Sequence, residues 1–296
     1  MITIKVTPEQ YLEIKGHYSS FVIDQTGDYI DFVAQVEGCT ITGYSSKKSK
    51  KSIVFNGENA SIEASKWAEV EETPKKEEEK LHFVDYGEQI GSDEVGVGDF
   101  LLPMIVVAVY MRKDQYQRLK ELGVTDSKKM SDQKIREIGP ALIKEFEYSK
   151  LTLPNSKYNE MYSKEENLNS LKAKMHNRAL YNLHKKYEDV IAIYVDQFVG
   201  EETYYKYLND KNEPVVKGIS FKTKGEQRFP SVAAASVIAR YAFLLEKDHL
   251  EEKYGMEFPC GAGPKVDKTK KVLLEKVGQE EYDNLVKKNF KNYSSN

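Results

Sequence analysis

The sequence predicts an α/β protein of two domains, in which a small α+β domain precedes a larger domain of mixed strands and helices. Three observations predict this arrangement. The chain has 296 residues, which is more than one typical domain needs. A charged run without apolar periodicity, residues 75–80, divides it into a shorter and a longer part. On both sides of that run, segments with strand-like alternation are interleaved with segments of helical periodicity.

The composition is typical of a soluble globular protein, with 40% hydrophobic and 31% charged residues. The net charge of -3 is small, so a polyanionic partner must be bound by local basic patches. Two cysteines, Cys39 and Cys260, are too few for a disulfide framework and fit a reducing compartment as free thiols. The N-terminus lacks a basic segment followed by an apolar one, and no stretch reaches about 18 apolar residues. We therefore expect a cytoplasmic protein with no membrane partner, and a monomer by default.

The N-terminal domain, residues 1–72, is predicted to contain a helix, a meander of strands and a second helix. The first helix begins at Pro8, and the second runs from about Asn59 to Glu71. The segments between them that alternate apolar and polar residues, as half-buried strands do, are Tyr29 to Val36, Cys39 to Tyr44 and Ser52 to Phe55.

Four lysines cluster at the tip of one predicted hairpin of this domain: Lys47, Lys48, Lys50 and Lys51. Such a cluster could contact the phosphates of a nucleic acid. Lysines in a surface loop also serve plain solubility, and both interpretations are open at this point.

A charged linker is predicted over residues 73–80. Thr73 and Pro74 precede the run from Lys75 to Lys80, and a proline beside a charge run without apolar residues disfavours a packed element. The second domain is therefore expected to span residues 81–296.

In the second domain the expected strands and helices alternate in mixed order. The segment from Phe100 to Met111 is apolar and rich in β-branched residues, so we predict a buried strand. A capping box from Ser163 to Glu166 predicts the start of a helix. Pro230 begins a second helix of small and apolar residues, which is expected to pack closely on the sheet and to end at Gly255. Two further strands are predicted at Phe146 to Leu153 and at Val190 to Val195.

Two adjacent carboxylates, Asp93 and Glu94, lie in the segment I-G-S-D-E-V-G-V-G-D just before the apolar strand. Neighbouring strand residues point to opposite faces, so the two could share one pocket only where the strand ends or bends. The glycines at 91, 96 and 98 permit such a bend. A carboxylate removed from water needs an opposite charge or a metal ion. The segment therefore indicates a metal site, with a solvated acidic turn as the alternative.

Two further acids occur where elements begin or end. Asp196 closes the apolar segment I-A-I-Y-V-D, and Glu226 lies just before the alanine-rich helix. Taken singly, each is more often a surface charge at the end of an element. Together with Asp93 and Glu94, they suit phosphodiester hydrolysis by two Mg²⁺ or Mn²⁺ ions roughly 4 Å apart.

These motifs resemble those of the type 2 ribonucleases H, and most closely those of the bacterial ribonuclease HIII family. Four motifs occur in the same order, namely G-S-D-E-V-G-V-G-D, T-D-S-K-K (Thr125 to Lys129), Y-V-D (Tyr194 to Asp196) and K-G-E-Q-R-F-P-S-V-A-A-A-S-V-I-A-R (Lys224 to Arg240). The resemblance implies a ribonuclease H-like mixed sheet with flanking helices, preceded by a small TATA-binding-protein-like domain. It also implies a metal-dependent endoribonuclease that hydrolyses the RNA strand of RNA/DNA hybrids and leaves 3′-hydroxyl and 5′-phosphate ends.

The resemblance assigns the catalytic and metal-binding roles to Asp93, Glu94, Asp196 and Glu226, with two Mg²⁺ or Mn²⁺ ions expected. Glu226 stands where the related ribonucleases HII usually have Asp. Glu246 and Asp248, farther along the same helix, are rivals that the K-G-E match disfavours.

Substrate-binding residues are also implied. Where ribonuclease HII has G-R-G, this chain has Gly96-Val97-Gly98, so the backbone can approach a ribose 2′-hydroxyl but no guanidinium assists. Lys128, within D-S-K, is implied to meet a backbone phosphate. Further implied contacts are Lys129, Arg178 and Ser236. With valine at position 97, we expect runs of ribonucleotides to be cut and a single embedded ribonucleotide to be cut weakly or not at all.

Two other functional classes compete with this interpretation. One is a nucleic-acid-binding protein whose acids are merely structural, which the lysine cluster and the modular N-terminal domain favour. All four carboxylates are intact, which disfavours it. The other is a different two-metal nuclease or phosphotransferase, which the order of the motifs disfavours.

Overall fold

The computed structural model of the chain describes residues 2–23, 30–44, 51–68, 83–85, 87–124, 127–163, 166–208 and 213–294. Its contacts divide the chain into two units, Met1–Glu79 and Lys80–Asn296. Three of the clustered lysines, Lys47, Lys48 and Lys50, lie outside the described residues, as does the expected linker at 73–80. No helix within the described ranges combines the length and apolar character needed to cross a bilayer.

The first unit is a four-stranded antiparallel sheet with the strand order β1-β4-β3-β2. The strands are β1 (Ile2–Val6), β2 (Ile30–Val36), β3 (Cys39–Tyr44) and β4 (Lys51–Asn56), and the helices are α1 (Pro8–His17) and α2 (Ala60–Ser65). Helix α1 begins where the sequence predicts, because Thr7 accepts a hydrogen bond from the N–H of Gln10 at its N-terminus.

Both helices pack on one face of this sheet. Alternate strand residues such as Ile41 and Ile53 are buried against Tyr11 and Ile14 of α1. The residues between them turn to the opposite face, where Thr42 is half-buried. The unit therefore has one apolar core and one largely polar sheet face.

The second unit is built on a five-stranded mixed sheet with the order β7-β6-β5-β8-β9. Its strands are β5 (Gln89–Val95), β6 (Met104–Met111), β7 (Glu147–Leu153), β8 (Ile193–Asp196) and β9 (Ile219–Lys222). Strand β5 pairs antiparallel with β6 and parallel with β8, so the carboxyl ends of β5 and β8 meet at the same edge of the sheet.

Helices cover both faces of this sheet. They are α3 (Tyr116–Glu121), α4 (Asp132–Glu145), α5 (Asn155–Met161), α6 (Leu168–His184), α7 (Glu201–Tyr207), α8 (Gly225–Arg228), α9 (Pro230–Tyr254), α10 (Pro264–Leu285) and α11 (Lys291–Ser294). The long α10 is broken at Gly278, whose φ of 75° is not helical. Helix α9 begins at Pro230, and the left-handed Gly255 caps its end, as predicted.

Strand β6 is buried on both faces, which explains its continuous apolar sequence. Its residues Val107 and Val109 pack with the alanines of α9 on one face. Val106 and Ala108 pack with α6 on the other. The unit is therefore a three-layer α/β/α sandwich, and the predicted fold class is confirmed.

Several boundaries differ from the sequence prediction. Helix α2 ends at Ser65 rather than near Glu71. Strand β8 begins at Ile193 rather than Val190, because the N–H of Val190 closes a turn on the carbonyl of Tyr187 at 3.1 Å. Strand β6 begins at Met104 rather than Phe100, because residues 100–103 form bends. Helix α6 begins at Leu168 rather than at the capping box, because Asn167 accepts the N–H groups of Asn169 and Ser170 at 2.9 and 3.1 Å. Ser163 closes only a local turn, in which its hydroxyl accepts the N–H of Glu166 at 3.0 Å.

Candidate active site

The two adjacent carboxylates lie on opposite faces of the central strand. Strand β5 stays in register with β6 through both residues, with Asp93 opposite Val107 and Glu94 opposite Val106. The strand does not bend at these two residues, but it ends one residue later, at Val95, which is the other possibility that the sequence left open. Asp93 turns towards α9 and Glu94 towards α6, and the two meet only at the sheet edge where β5 ends.

Asp93 is a buried carboxylate whose surroundings disfavour its negative charge. Its side chain is buried, with 4% of the residue exposed, and Oδ1 accepts the N–H of Glu94 at 2.7 Å. Desolvation raises the pKa of Asp93 well above its ordinary value, and the negative charges of Glu94 and Asp196 raise it further, despite a hydrogen bond from Ser236. Such a carboxylate is stabilised by a nearby cation.

Glu94 has cationic and imidazole partners on α6. Its carboxylate forms an ion pair with Lys172, and Oε2 lies 2.9 Å from Nε2 of His176. Desolvation by itself would raise the pKa of Glu94, but the hydrogen bond with His176 and the charge of Lys172 outweigh it and lower the pKa to about 2. The other imidazole nitrogen, Nδ1, lies 2.8 Å from the hydroxyl of Ser92.

Asp196 is positioned by the turn that follows β9. Lys224 takes a left-handed conformation with a φ of 57°, which aims the N–H of Gly225 at the Oδ1 atom of Asp196, 2.9 Å away. This turn also begins the short helix α8, so it places Glu226 beside the end of β8. The K-G-E motif thus sets the positions of two carboxylates at once.

Glu226 is buried, with 2% of the residue exposed. Its Oε1 atom lies 3.8 Å from the Nζ atom of Lys128, whose side chain is 72% exposed. A cavity of about 310 Å³ opens next to these groups and is lined by Glu94, Val95, Ser127, Lys128, Met130, Asp132, Ser236 and Arg240. In the wall of this cavity, the hydroxyls of Ser127 and Ser236 are hydrogen-bonded at 2.5 Å. The Ser236 side chain also forms a hydrogen bond with the Asp93 carboxylate.

The three glycines of the acidic segment differ in how much space a side chain would have at their positions. A Cβ atom at Gly91 would lie 2.3 Å from the Ser231 hydroxyl, so this glycine lets α9 pack closely on β5. Gly96 has a φ of 83°, and a Cβ atom there would lie 1.9 Å from the carbonyl oxygen of Pro103. A Cβ atom at Gly98 would meet nothing within 4 Å. The protein's own packing thus explains the first two glycines and leaves open space at the third.

The structure brings most predicted site residues to this sheet edge. Asp93, Glu94, Asp196, Glu226, Lys128 and Ser236 are joined by the contacts described above, and residues 96–98 follow directly from β5. Arg178 lies elsewhere, because its guanidinium bonds the Glu213 carboxylate at 2.7 Å beside an apolar cavity. Lys129 is exposed next to Lys128. Lys51, in the first unit, places its ammonium 4.5 Å from the centre of the Tyr11 ring.

Two functional candidates were missed at the sequence level. The structure buries Lys172 and His176 of α6, at 6% and 0% exposure. Phe198 completes this group, since the Lys172 ammonium lies 3.9 Å from the centre of its ring. The signal that could have identified them is their i, i+4 spacing, which puts both on the face that meets β5.

The donors at this edge fit hard divalent cations. All four acids offer carboxylate oxygens, the ligands that Mg²⁺ and Mn²⁺ prefer. Within the described ranges, no group of three or more Asp, Glu, His or Cys side chains is already arranged as a metal cage. Mg²⁺ commonly takes one or two carboxylates and completes its shell with water and substrate phosphate. The buried Asp93 beside Asp196 offers such a partial shell.

Comparison with known proteins supports a single family. The sequence model of the ribonuclease HII family matches residues 90–293, and a model described as a domain of unknown function matches residues 1–80. A ribonuclease HIII of Bacillus mycoides (strain KBAB4) is 43% identical, with 88% of this chain and 86% of the relative covered. A ribonuclease HIII of Bacillus cereus (strain ATCC 10987) is 40% identical, with 98% and 96% covered.

Comparison with solved structures supports the same family. The structure is similar to the crystal structure of Bst-RNase HIII in complex with Mn²⁺, with a TM-score of 0.68, 29% identity and coverage of 99% of this chain and 97% of that one. The fold is also similar to that of ribonuclease H2 from Pyrococcus horikoshii OT3, with a TM-score of 0.56, 22% identity and coverage of 70% of this chain and 95% of that one.

Proposed function

Because this chain belongs to the ribonuclease HIII family and is an endoribonuclease, we propose that it hydrolyses the RNA strand of RNA/DNA hybrids by two-metal-ion catalysis. The products are 3′-hydroxyl and 5′-phosphate ends. The observation that carries the proposal is the buried Asp93, whose carboxylate lies close enough to Asp196 and Glu94 for their charges to raise its pKa. Carboxylates gathered at one sheet edge concentrate negative charge where a phosphodiester has to be cut.

Mg²⁺ or Mn²⁺, two ions per site, would supply the positive charge that activates water and stabilises the leaving oxygen. Asp93 and Asp196, on adjacent parallel strands, would hold these ions, and Glu226 on α8 would complete the set of carboxylates. Glu94 reaches the site from the opposite face of β5, where His176 and Lys172 orient its carboxylate. Lys128 is proposed to meet a phosphate of the substrate, which its large exposure beside Glu226 supports.

Residues 96–98 are proposed to recognise ribose. None of the hydrogen bonds within the described residues uses the N–H groups of Val97 or Gly98, and the space beside Gly98 is open. Backbone N–H groups in open space can bind 2′-hydroxyls through several modest contacts. Without an arginine at position 97, one 2′-hydroxyl alone gives little affinity. We therefore propose that the enzyme cuts runs of ribonucleotides and acts weakly or not at all on a single embedded one.

The N-terminal domain, predicted as residues 1–72 and contained in the first unit, is proposed to bind the hybrid without taking part in the chemistry. It contains none of the four acids. Its sheet face opposite the helices carries polar residues, including Lys5 and Thr42. The lysine cluster at 47–51 belongs to the same unit and would add phosphate contacts.

A cleavage assay with matched substrates tests the proposal. The full-length protein is incubated with Mg²⁺ or Mn²⁺ and end-labelled RNA/DNA hybrid, single-stranded RNA or double-stranded DNA, with EDTA and the Asp196→Asn variant as controls. We expect metal-dependent cutting of the hybrid alone, at internal positions. Binding of all three substrates without cleavage would favour the nucleic-acid-binding alternative, and cutting of the DNA duplex would favour another nuclease.

A second substrate pair tests the proposed ribose specificity. DNA duplexes that carry one or at least four consecutive ribonucleotides differ in the number of 2′-hydroxyls and in little else. We expect efficient cleavage of the longer run alone. Equal rates on both would show that residues 96–98 do not set this specificity.

A further inference from the structure

A buried lysine lies beneath the loop that follows β5. Lys287, between α10 and α11, has no exposed surface. Its ammonium donates hydrogen bonds to the main-chain carbonyls of Gly96, Asp99 and Leu102, at 2.8, 2.6 and 2.6 Å. These three residues begin, divide and end the segment 96–102, which we call the glycine loop. One side chain thus binds the loop along its whole length.

A lysine at this place is costly for the fold. Burial lowers the pKa of Lys287 to about 7, although the negative charge of Asp99 opposes this. The rings of Tyr158 and Phe290 lie 5.7 and 5.8 Å from the ammonium, so the charge is held in largely apolar surroundings that penalise it. The lysine is compensated by the three carbonyls it binds, so its position is explained by the loop.

The same bonds orient the loop. Three carbonyls directed at one buried ammonium turn the peptide units of the loop inwards. The main chain of Phe100, within this loop, makes two further hydrogen bonds. Its N–H donates to the carbonyl of Gly261 at 2.9 Å, and its carbonyl accepts the main-chain N–H of Lys287 at 3.0 Å. The N–H groups of Val97 and Gly98, by contrast, are used by none of the bonds within the described residues.

We propose that Lys287 is a positioning residue, which holds the glycine loop in the conformation that presents the Val97 and Gly98 N–H groups to the substrate ribose. The inference rests on the proposed ribose recognition by residues 96–98. Lys287 touches neither the substrate nor the carboxylates. It acts through the loop, and its loss should affect the binding of RNA-containing substrates more than the chemical step.

The test compares Lys287→Met with Lys288→Met, a matched control whose exposed ammonium pairs with Asp283 at 2.7 Å. Hydrogen exchange measured by mass spectrometry reports on the loop without any need for activity. In the Lys287 variant we expect exchange in peptides covering 96–102 to rise about tenfold or more, with β5 and α6 unchanged. The KM for hybrid should rise about tenfold while kcat changes less than about threefold, and the affinity for DNA duplex should stay constant.

The control variant should match the wild type in every measurement. Unchanged loop exchange in Lys287→Met would overturn the proposal, as would a freed loop with an unchanged KM. If the wild type itself does not cleave hybrid, the proposed function fails, but the exchange experiment still decides whether the lysine orders the loop.

A second variant covers the case in which methionine is not tolerated. Lys287→Ala leaves space for a small amine, so butylammonium should restore both slow loop exchange and the KM, whereas tetramethylammonium, which has no N–H donor, should not. Restoration by both ions, or failure of the variant to fold even with butylammonium, would show that the residue serves the stability of the fold as a whole and would overturn the positioning role.

Discussion

At the scale of single residues, the four carboxylates of the site differ sharply in their surroundings. Asp93 is buried among like charges, which raises its pKa, whereas Glu94 is held by His176 and Lys172 with a pKa of about 2. The two acids are adjacent in the chain and yet belong to opposite faces of β5. Their electrostatic surroundings therefore differ: Asp93 lies among like charges, whereas Glu94 has a lysine and an imidazole as partners.

Replacement of Asp93 or Asp196 by Asn should remove nearly all cleavage. Asn keeps the shape of the side chain but loses the charge that attracts a divalent cation. We expect kcat on RNA/DNA hybrid to fall by about a hundredfold or more while hybrid binding survives. Single-turnover cleavage and filter binding measure the two quantities, with Asp248→Asn, a rival acid on α9 that pairs with Arg136, as the control. Turnover like that of the wild type in either variant would contradict the assignment.

Glu94 should also make the stability of the protein depend on pH. Its ordinary pKa is 4.5, and the folded value is about 2, so its stabilising contribution is complete above pH 4.5 and is lost as the pH falls towards 2. The difference in unfolding free energy between the wild type and Glu94→Gln should therefore shrink by about 2 kcal/mol between pH 6 and pH 3. Urea unfolding in EDTA measures it, and a difference that is constant with pH would contradict the ion pair.

At the scale of elements, the turn from β5 into the glycine loop contains two glycines with different roles: one is required by the fold, and the other is proposed to contact the substrate. Gly96 must take a positive φ to clear the carbonyl of Pro103, which is a demand of the fold. Packing does not require glycine at position 98, because a Cβ atom there would have no neighbour within 4 Å. The chain thus places a structural glycine and a proposed functional glycine two positions apart.

The two glycines should respond differently to substitution. Gly96→Ala introduces a Cβ atom 1.9 Å from a carbonyl oxygen at a φ of 83°, so we expect a loss of about 2 kcal/mol or more in unfolding free energy. Gly98→Ala should change stability by no more than about 0.5 kcal/mol. Because its methyl group enters the space proposed for ribose, it should still weaken hybrid binding. Thermal unfolding and hybrid affinity together decide this, and unaltered binding by Gly98→Ala would contradict the ribose contact.

At the scale of the whole molecule, chemistry and substrate binding are proposed to be divided between two units. The second unit contains all four acids and its own three-layer core. The first has a separate apolar core beneath a four-stranded sheet. Each core is complete within its unit, so we expect each unit to fold without the other.

Removal of the first unit should weaken substrate binding rather than catalysis. We expect the fragment 81–296 to cut hybrid with a higher KM and a similar kcat, because the acids are intact and phosphate contacts are lost. The dependence of affinity on salt should become shallower, by about 0.9 in log-log slope for each phosphate contact removed. Titrations of both proteins over a range of salt concentrations measure this. Equal affinity and equal salt dependence would contradict a binding role for the first unit.

The sequence by itself determined much of this protein, because strand alternation, helix signals and acid-bearing motifs are properties of short stretches of chain. Strand β6 and helix α9 follow from apolar composition and from Pro230 and Gly255. The resemblance to ribonuclease HIII, carried by four motifs, is confirmed by relatives that match nearly the whole chain. The assignment of individual acids to metal binding stays a prediction that the proposed experiments test.

What only the tertiary structure decided is which distant residues meet. Pairing with β6 kept β5 straight and sent Asp93 and Glu94 to opposite faces, where the local pattern left both a bend and a strand end open. Packing of α6 brought His176 to Glu94, 82 residues away in the chain. Lys287 reaches Gly96 across 191 residues. Periodicity reports which way a side chain points from its own element, whereas its partner depends on how the elements pack, and no local pattern contains that information.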